Sequence, residues 1–210
     1  MDRRWLKSYQ PGVPADVNPD RYSSLNEFFE SVCAQYAART AFIHCGHALT
    51  YQELEEHSRA WSAYLQKVLA IAKGDRVALM MPNLLQYPIL MFGILRAGGV
   101  IVNINPLSTP RELEYELRDS GARILVLFEG SVPTLEGIEN PLDLKQVLIT
   151  KMGDFLPFPK GFFMNQMFRY LKKPHLALKK HSRLCRYQSL YLKNPALWDQ
   201  IWLFYNIPVA

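Results

Sequence analysis

An α/β fold with a largely parallel sheet and flanking helices is predicted by three features of this 210-residue sequence. From residue 76 onward, short apolar runs alternate with helical patterns, the order expected of β-α-β units. The runs are continuous rather than alternating, as in strands covered on both faces. Pro82-Asn83 and Asn105-Pro106 close two of them. Hydrophobic residues at 49% and charged residues at 20% describe one globular domain with a sizeable core. That balance excludes a disordered tail protein, a collagen-like repeat and a coiled coil.

The elements follow in chain order. Leu25, Phe28, Phe29, Val32, Cys33 and Tyr36 fall at helical spacing behind Ser23-Ser24, with Glu27 placed to close a capping box on Ser24. Residues 41–45 and 48–51 flank Gly46-His47 as a short hairpin. Thr50 with Glu53 starts the next helix, whose buried stripe is Leu54, Trp61, Leu65 and Val68. Lys73-Gly74-Asp75 turns the chain into the strand 76–81, which Pro82-Asn83 ends. Residues 84–97 form a buried helix stopped by Gly98-Gly99, and 100–104 is a β-branched strand closed by Asn105-Pro106. Thr109-Pro110-Arg111-Glu112 is the sharpest local signal: an N-cap Thr, a Pro at the first helical position and a Glu at the third. That helix ends near Ser120-Gly121, and 124–128 and 147–150 supply two more strands.

Charge divides the chain. Residues 1–150 carry 14 Lys+Arg and 17 Asp+Glu, whereas residues 151–210 carry 10 and 2. The basic character belongs to the tail, which reads either as a patch for anionic lipid or nucleic acid or as a stretch unlike the rest in origin. Cys33, Cys45 and Cys185 are odd in number and lack a C-x-x-C pair, so neither a disulfide framework nor a four-ligand zinc site is expected, and a reducing cytoplasm fits. Met1 to Lys7 has no apolar region behind it, so no signal peptide is expected. The apolar stretch 77–107 is broken by Pro82, Asn83, Gln86, Pro88, Arg96 and Asn103, short of the roughly 18–20 apolar residues a span needs.

Spacing reveals no active site. Neither G-x-G-x-x-G, nor a P-loop, nor G-x-S-x-G occurs. Gly98-Gly99 follows a helix, whose negative end suits a C-cap and not a phosphate. His44 and His47, three apart in a hairpin, read as a solvated turn rather than a ligand pair. The rows Glu53, Glu55, Glu56 and Glu112, Glu114, Glu116 read as solvated helix faces.

Longer strings carry more. Residues 74–88, GDRVALMMPNLLQYP, then Phe92-Gly93-Ile94-Leu95-Arg96-Ala97-Gly98, then residues 105–114, NPLSTPRELE, closely resemble the bacterial long-chain fatty-acid CoA ligases of the adenylate-forming, AMP-binding superfamily. Trp5, Val13-Pro14-Ala15-Asp16, Asn18-Pro19-Asp20-Arg21-Tyr22 and residues 148–154, LITKMGD, are similar too. The resemblance runs to about Lys173. It implies that residues 1–173 are an N-terminal portion of the AMP-binding large domain, incomplete as a fold. It implies an enzyme that uses ATP and Mg2+ to turn a long-chain fatty acid into an acyl-adenylate and then passes the acyl group to CoA. The family's phosphate loop, Y-T-G-G-T-T-G, and its later contacts are not in this sequence. No catalytic, cofactor-binding or metal residue is therefore assigned, the fragment alone is expected to be inactive, and no cofactor is expected on it.

Residues 174–210 read as an aberrant basic tail. One legal encoding of the last ten residues, read one nucleotide earlier, gives D-L-A-F-L-Q-Y-T-G-G, the family's approach to its phosphate loop. A frameshift between about Lys173 and Gln200 is the reading this supports. Such a tail is expected to pack badly and to leave the core strands without later neighbours. The competing reading is a non-catalytic module docking on membrane or a partner through that tail. Peripheral contact at the inner face of the membrane, a complementing downstream chain and a homodimer stay open; nucleic acid is not expected.

Overall fold

The structure, a computed structural model, describes residues 3–172 and 188–189. Its centre is a sheet of five parallel strands in the order β4-β3-β5-β6-β7. These are β3 (Arg76–Met80), β4 (Val100–Ile104), β5 (Ile124–Phe128), β6 (Gln146–Thr150) and β7 (Gln188–Ser189), and a separate antiparallel pair is β1 (Thr40–His44) with β2 (His47–Thr50). The helices are α1 (Leu25–Gln35), α2 (Tyr51–Lys67), α3 (Gln86–Arg96), α4 (Pro110–Ser120), α5 (Val132–Glu136) and α6 (Lys160–Lys172).

The pleat of the strands builds two cores. Val77, Leu79, Val126 and Leu148 point into one cluster with Trp61 and Leu65 of α2 and Ile94 of α3. Their neighbours Ala78, Met80, Leu125, Leu127, Val147 and Ile149 point into the other, with Leu113 and Leu117 of α4 and Leu135 of α5. Helices cover both faces, which is why these runs are continuous and apolar. Each fully buried Leu or Val among them is worth about 1.5–3 kcal/mol over leaving it in water.

Local rules explain most helix ends. Thr50 and Thr109 each accept a hydrogen bond from the amide of the Glu three residues on, while Glu53 and Glu112 reach back to the Thr amides at 2.8 and 2.7 Å. Gly98, at φ +81°, follows α3 in a Schellman arrangement: its amide donates to Leu95 O at 3.0 Å and the Gly99 amide to Ile94 O at 2.9 Å. Gly121 ends α4 in the left-handed conformation.

Several expectations need correction. Ser24 caps α1 through the Glu27 amide, but the Glu27 carboxylate passes over Ser24 to Ser23, whose amide and hydroxyl both donate to it. Of the α1 stripe, only Phe29 and Cys33 are buried, and Leu25 and Phe28 are exposed, because the covering surface is narrow there. Val68 is exposed because α2 ends at Lys67, and Leu69 and Ile71 enter the core instead. The hairpin turn is Cys45-Gly46, both at positive φ, and not Gly46-His47, so His44 and His47 face each other across the pair. Two left-handed residues make this a type I′ turn, one of the two whose twist matches that of the flanking strands. The outer edge of β6 also has a neighbour, β7, through Leu148↔Gln188 and Ile149↔Ser189; the backbone groups of an open edge accept any strand offered. The rest of the expected tail, residues 174–187 and 190–210, lies outside the described residues.

Candidate functional site

Strand order reverses between β3 and β5, and in an open α/β sheet the carboxyl ends of the strands at that reversal are where ligands bind. The crest there is made by Met81 to Leu85 after β3, Glu129 to Ser131 after β5, and Lys151 to Asp154 after β6. Its polar side chains mostly hold backbone. Buried Gln86 donates from Nε2 to Lys151 O at 2.7 Å, tying the start of α3 to the loop after β6. Ser131 Oγ donates to Pro106 O at 3.2 Å. Asp154 Oδ2 accepts from the Lys151 amide at 2.7 Å and from Thr150 Oγ1 at 3.2 Å, and burial pushes its carboxyl above the usual range. Asn165 Oδ1 of α6 accepts from the Gly153 amide at 2.7 Å.

These residues do not fit a nucleotide's phosphates. Phosphate needs several free amides at a helix N-terminus. The start of α3 has Leu85 at its N-cap position with no side-chain cap and Pro88 in its first turn; α5 begins Val132-Pro133 behind buried Glu129. An acid and two prolines repel an anion or withhold donors. Among the described residues, no group of three or more His, Cys, Asp or Glu is placed to hold a metal ion.

Gly98-Gly99 is a helix stop, as its spacing suggested. The acidic rows are only partly solvated faces. Glu53 and Glu112 close capping boxes, and Glu114 accepts from Arg118 Nε at 3.0 Å and Asn140 Nδ2 at 2.9 Å. Glu55 is drawn inward to Arg96, 2.9 Å away, and also accepts from Arg59. The Arg96 guanidinium sits 2.8 Å from Glu30 and 5.4 Å from the Phe29 ring centroid. Sequence spacing could not find this cluster, whose members lie on α1, α2 and α3 at separations of 41 and 66 residues.

Two groups give measurable chemistry without being catalytic. Burial and the nearby Glu55 push the Cys33 thiol up to about 11, whereas Cys45 is exposed in its turn. A thiol reagent at neutral pH is expected to modify Cys45 quickly and Cys33 only on unfolding, since thiolate is the reactive form; peptide mapping after a short pulse checks this. Burial also holds the His57 imidazole below its ordinary value of 6.5, against the opposing pull of Glu53 and Glu56. The unfolded chain therefore binds a proton that the folded one refuses. The contribution is full above about pH 6.5 and is lost as pH falls through the lower folded value. Chemical denaturation of wild type is expected to weaken between about pH 7 and pH 5, and His57→Gln to flatten that slope. Equal slopes would contradict the assignment. Hydrogen bonds from Ser23, Thr50 and Thr109 hold Glu27, Glu53 and Glu112 below 4.5, so a second loss is expected in stronger acid.

A parallel sheet with helices on both faces and its reversal between β3 and β5 defines a doubly wound α/β domain. The chain belongs to the AMP-binding enzyme family, which it matches over residues 29–184. It is 52% identical over 173 residues to a long-chain-fatty-acid–CoA ligase of Yersinia pestis and 50% identical over 173 residues to that of Salmonella typhimurium. Each match covers 82% of this chain and 31% of the relative, so the chain spans about a third of the length of these curated relatives. Among solved structures it is similar to a benzoate CoA ligase from Burkholderia xenovorans LB400, with a TM-score of 0.55, 27% identity, and 59% of this chain on 25% of that one.

Proposed function

We propose that this chain is the N-terminal part of a long-chain fatty-acid–CoA ligase and supplies scaffold, not reacting groups, to it. The observation that carries this is the 52% identity to the Yersinia pestis enzyme, together with a sheet crest unsuited to phosphate. The whole enzyme joins a fatty acid to ATP with Mg2+, releasing pyrophosphate, and then transfers the acyl group to CoA. The residues touching ATP, Mg2+ and CoA lie outside this chain. Its own residues do structural work: β3 to β6 form the sheet, and the Gln86, Thr150 and Asp154 contacts hold the crest. The substrates place the reaction in the cytoplasm, and a separate chain carrying the missing segments would complete the enzyme.

ATP–pyrophosphate exchange with a long-chain fatty acid tests this. The 210-residue chain alone is expected to give background, and a chimaera with residues 1–173 replacing the matched stretch of the Yersinia pestis enzyme is expected to restore exchange. Exchange by the chain alone, or a folded chimaera without it, would overturn the proposal. Residues 174–210 we read as an out-of-frame continuation. Rereading the nucleotide sequence from the Gly161 codon past that of Ala210 is expected to find one base that opens a frame through Y-T-G-G-T-T-G; an unchanged frame rejects that reading.

A further inference from the structure

Helix α6 lies over the carboxyl end of the sheet and is fixed there by one face. A Cβ on Gly161 would lie 2.5 Å from Gly153 O and 2.7 Å from Leu156 O, so only glycine permits this backbone approach to the loop after β6. Asn165 holds the Gly153 amide, and Met164 joins the cluster around Phe29. Phe168 packs edge-on against Phe128, the last residue of β5, with ring centroids 5.2 Å apart. The other face carries Phe163, Met167 and Tyr170 at intervals of four and three residues, with Phe162 beside them and Phe158 just before the helix. These five side chains are 50–83% exposed. Apolar surface of that extent, on a helix whose position is already fixed, marks an interface.

We propose that this face of α6 is an internal interface of the whole ligase, covered by the polypeptide that continues beyond it, an inference that rests on the ligase reading. Position selects the occupant. The resemblance to the relatives runs to about Lys173, and α6 ends at Lys172. The match covers 31% of the Yersinia pestis enzyme, so about two-thirds of that enzyme lies outside it. In the whole enzyme the chain therefore leaves this fold from the carboxyl end of α6, beside the stripe. The crest that α6 overlies does not itself suit phosphate, so the groups that touch ATP come back to it from that later chain. A polypeptide that departs from α6 and returns to the crest meets the stripe on its way. What covers it is apolar, because Phe, Met and Tyr side chains offer dispersion and area, with the Tyr170 hydroxyl as the one strong hydrogen-bonding group among the five. Burial of these side chains then adds to the stability of the whole enzyme, whereas the 210-residue chain leaves them in water.

Hydroxyl-radical labelling of the 210-residue chain and of the chimaera at equal dose, read by peptide mapping, tests this. Phe163, Met167 and Tyr170 are expected to label at least about fivefold less in the chimaera, the change from half-exposed to buried. Phe163→Ser with Tyr170→Ser keeps every charge and a similar helix propensity. The pair is expected to lower the thermal midpoint of the chimaera by about 4 °C or more, and that of the 210-residue chain by less than about 1 °C. If the chimaera with both substitutions does not fold, Met167→Ser alone serves. Equal labelling of the face in the two proteins, or an equal loss of midpoint, overturns the proposal. So does a face that stays labelled in the chimaera but is protected in the 210-residue chain by dimerisation, a result that gives it to a second copy. Pyrophosphate exchange separates this inference from the ligase reading. A chimaera that exchanges with the face still labelled overturns the interface alone, and a folded chimaera that protects the face without exchanging overturns the reading of function alone.

Discussion

Arg96→Met is expected to lower the unfolding free energy by about 3 kcal/mol, although the new side chain is apolar and similar in length. The guanidinium is 7% exposed, and the side chain of Glu55, 2.9 Å away, is 19% exposed. Removing the cation leaves that carboxylate in a poorly hydrated place with only the outer Arg59 for company. Glu30 matters less, because it is more than half exposed and an exposed partner recovers water. Arg96 also closes the last turn of α3, where a cation favours the helix dipole, and its guanidinium lies over Phe29, which stacks on Phe92 at 3.7 Å. One substitution thus loosens α1, α2 and α3 together. Urea denaturation should show a lower midpoint at unchanged slope. Glu55→Gln in the same chain should return part of the loss, since the stranded charge is then gone. A change under about 1 kcal/mol, or full additivity of the two substitutions, would mean that Arg96 behaves as an ordinary surface cation.

Sequence reading succeeded where the causes are local. A Thr followed three residues later by Glu forms its capping box whatever surrounds it, as at Thr50 and Thr109. The apolar runs at 77–80 and 124–128 are strands for a similarly short reason: both faces are covered there, so every residue of these runs is apolar. Errors arise where neighbours decide. Nothing near Cys45 announces that a non-glycine residue takes positive φ; the twist of the paired strands imposes it. Leu25 and Phe28 have the period of a buried stripe, but α1 meets only a strip of α2 and α3 wide enough for Phe29 and Cys33. The helix α6 follows Pro157 and Pro159 and carries Gly161 in its first turn, and its apolar residues face both inward and outward, so no single stripe marked it. As for the site, strings such as GDRVALMMPN carried the family, whereas no spacing of reactive groups did. That fits a crest whose Gln86, Ser131, Thr150 and Asp154 bond backbone or one another.

Gly93→Ala sets two effects of opposite sign against each other. Helix propensity alone favours the change by about 1 kcal/mol, because glycine in a helix interior exacts backbone entropy. Packing opposes it. A Cβ on Gly93 would lie 2.4 Å from Trp61 Cδ1 and 2.8 Å from Ser58 O. The second atom is backbone of α2, and the first belongs to a ring only 2% exposed and enclosed by Leu65, Val77 and Ile94, so neither yields easily. Relief requires α3 to move away from α2, which opens the core on that face of the sheet. Overpacking of this kind costs about 1–3 kcal/mol, and separation of backbones that glycine alone brings together lies at or beyond the upper end. The net expectation is a loss of about 2 kcal/mol or more. Trp61→Leu separates the two contacts. If the ring is the main obstacle, the double variant should lose less than the sum of the single ones, and if Ser58 O dominates, the losses should add. Stabilisation by Gly93→Ala would mean that α2 and α3 stand farther apart than these distances require, and that propensity, not contact, governs the middle of α3.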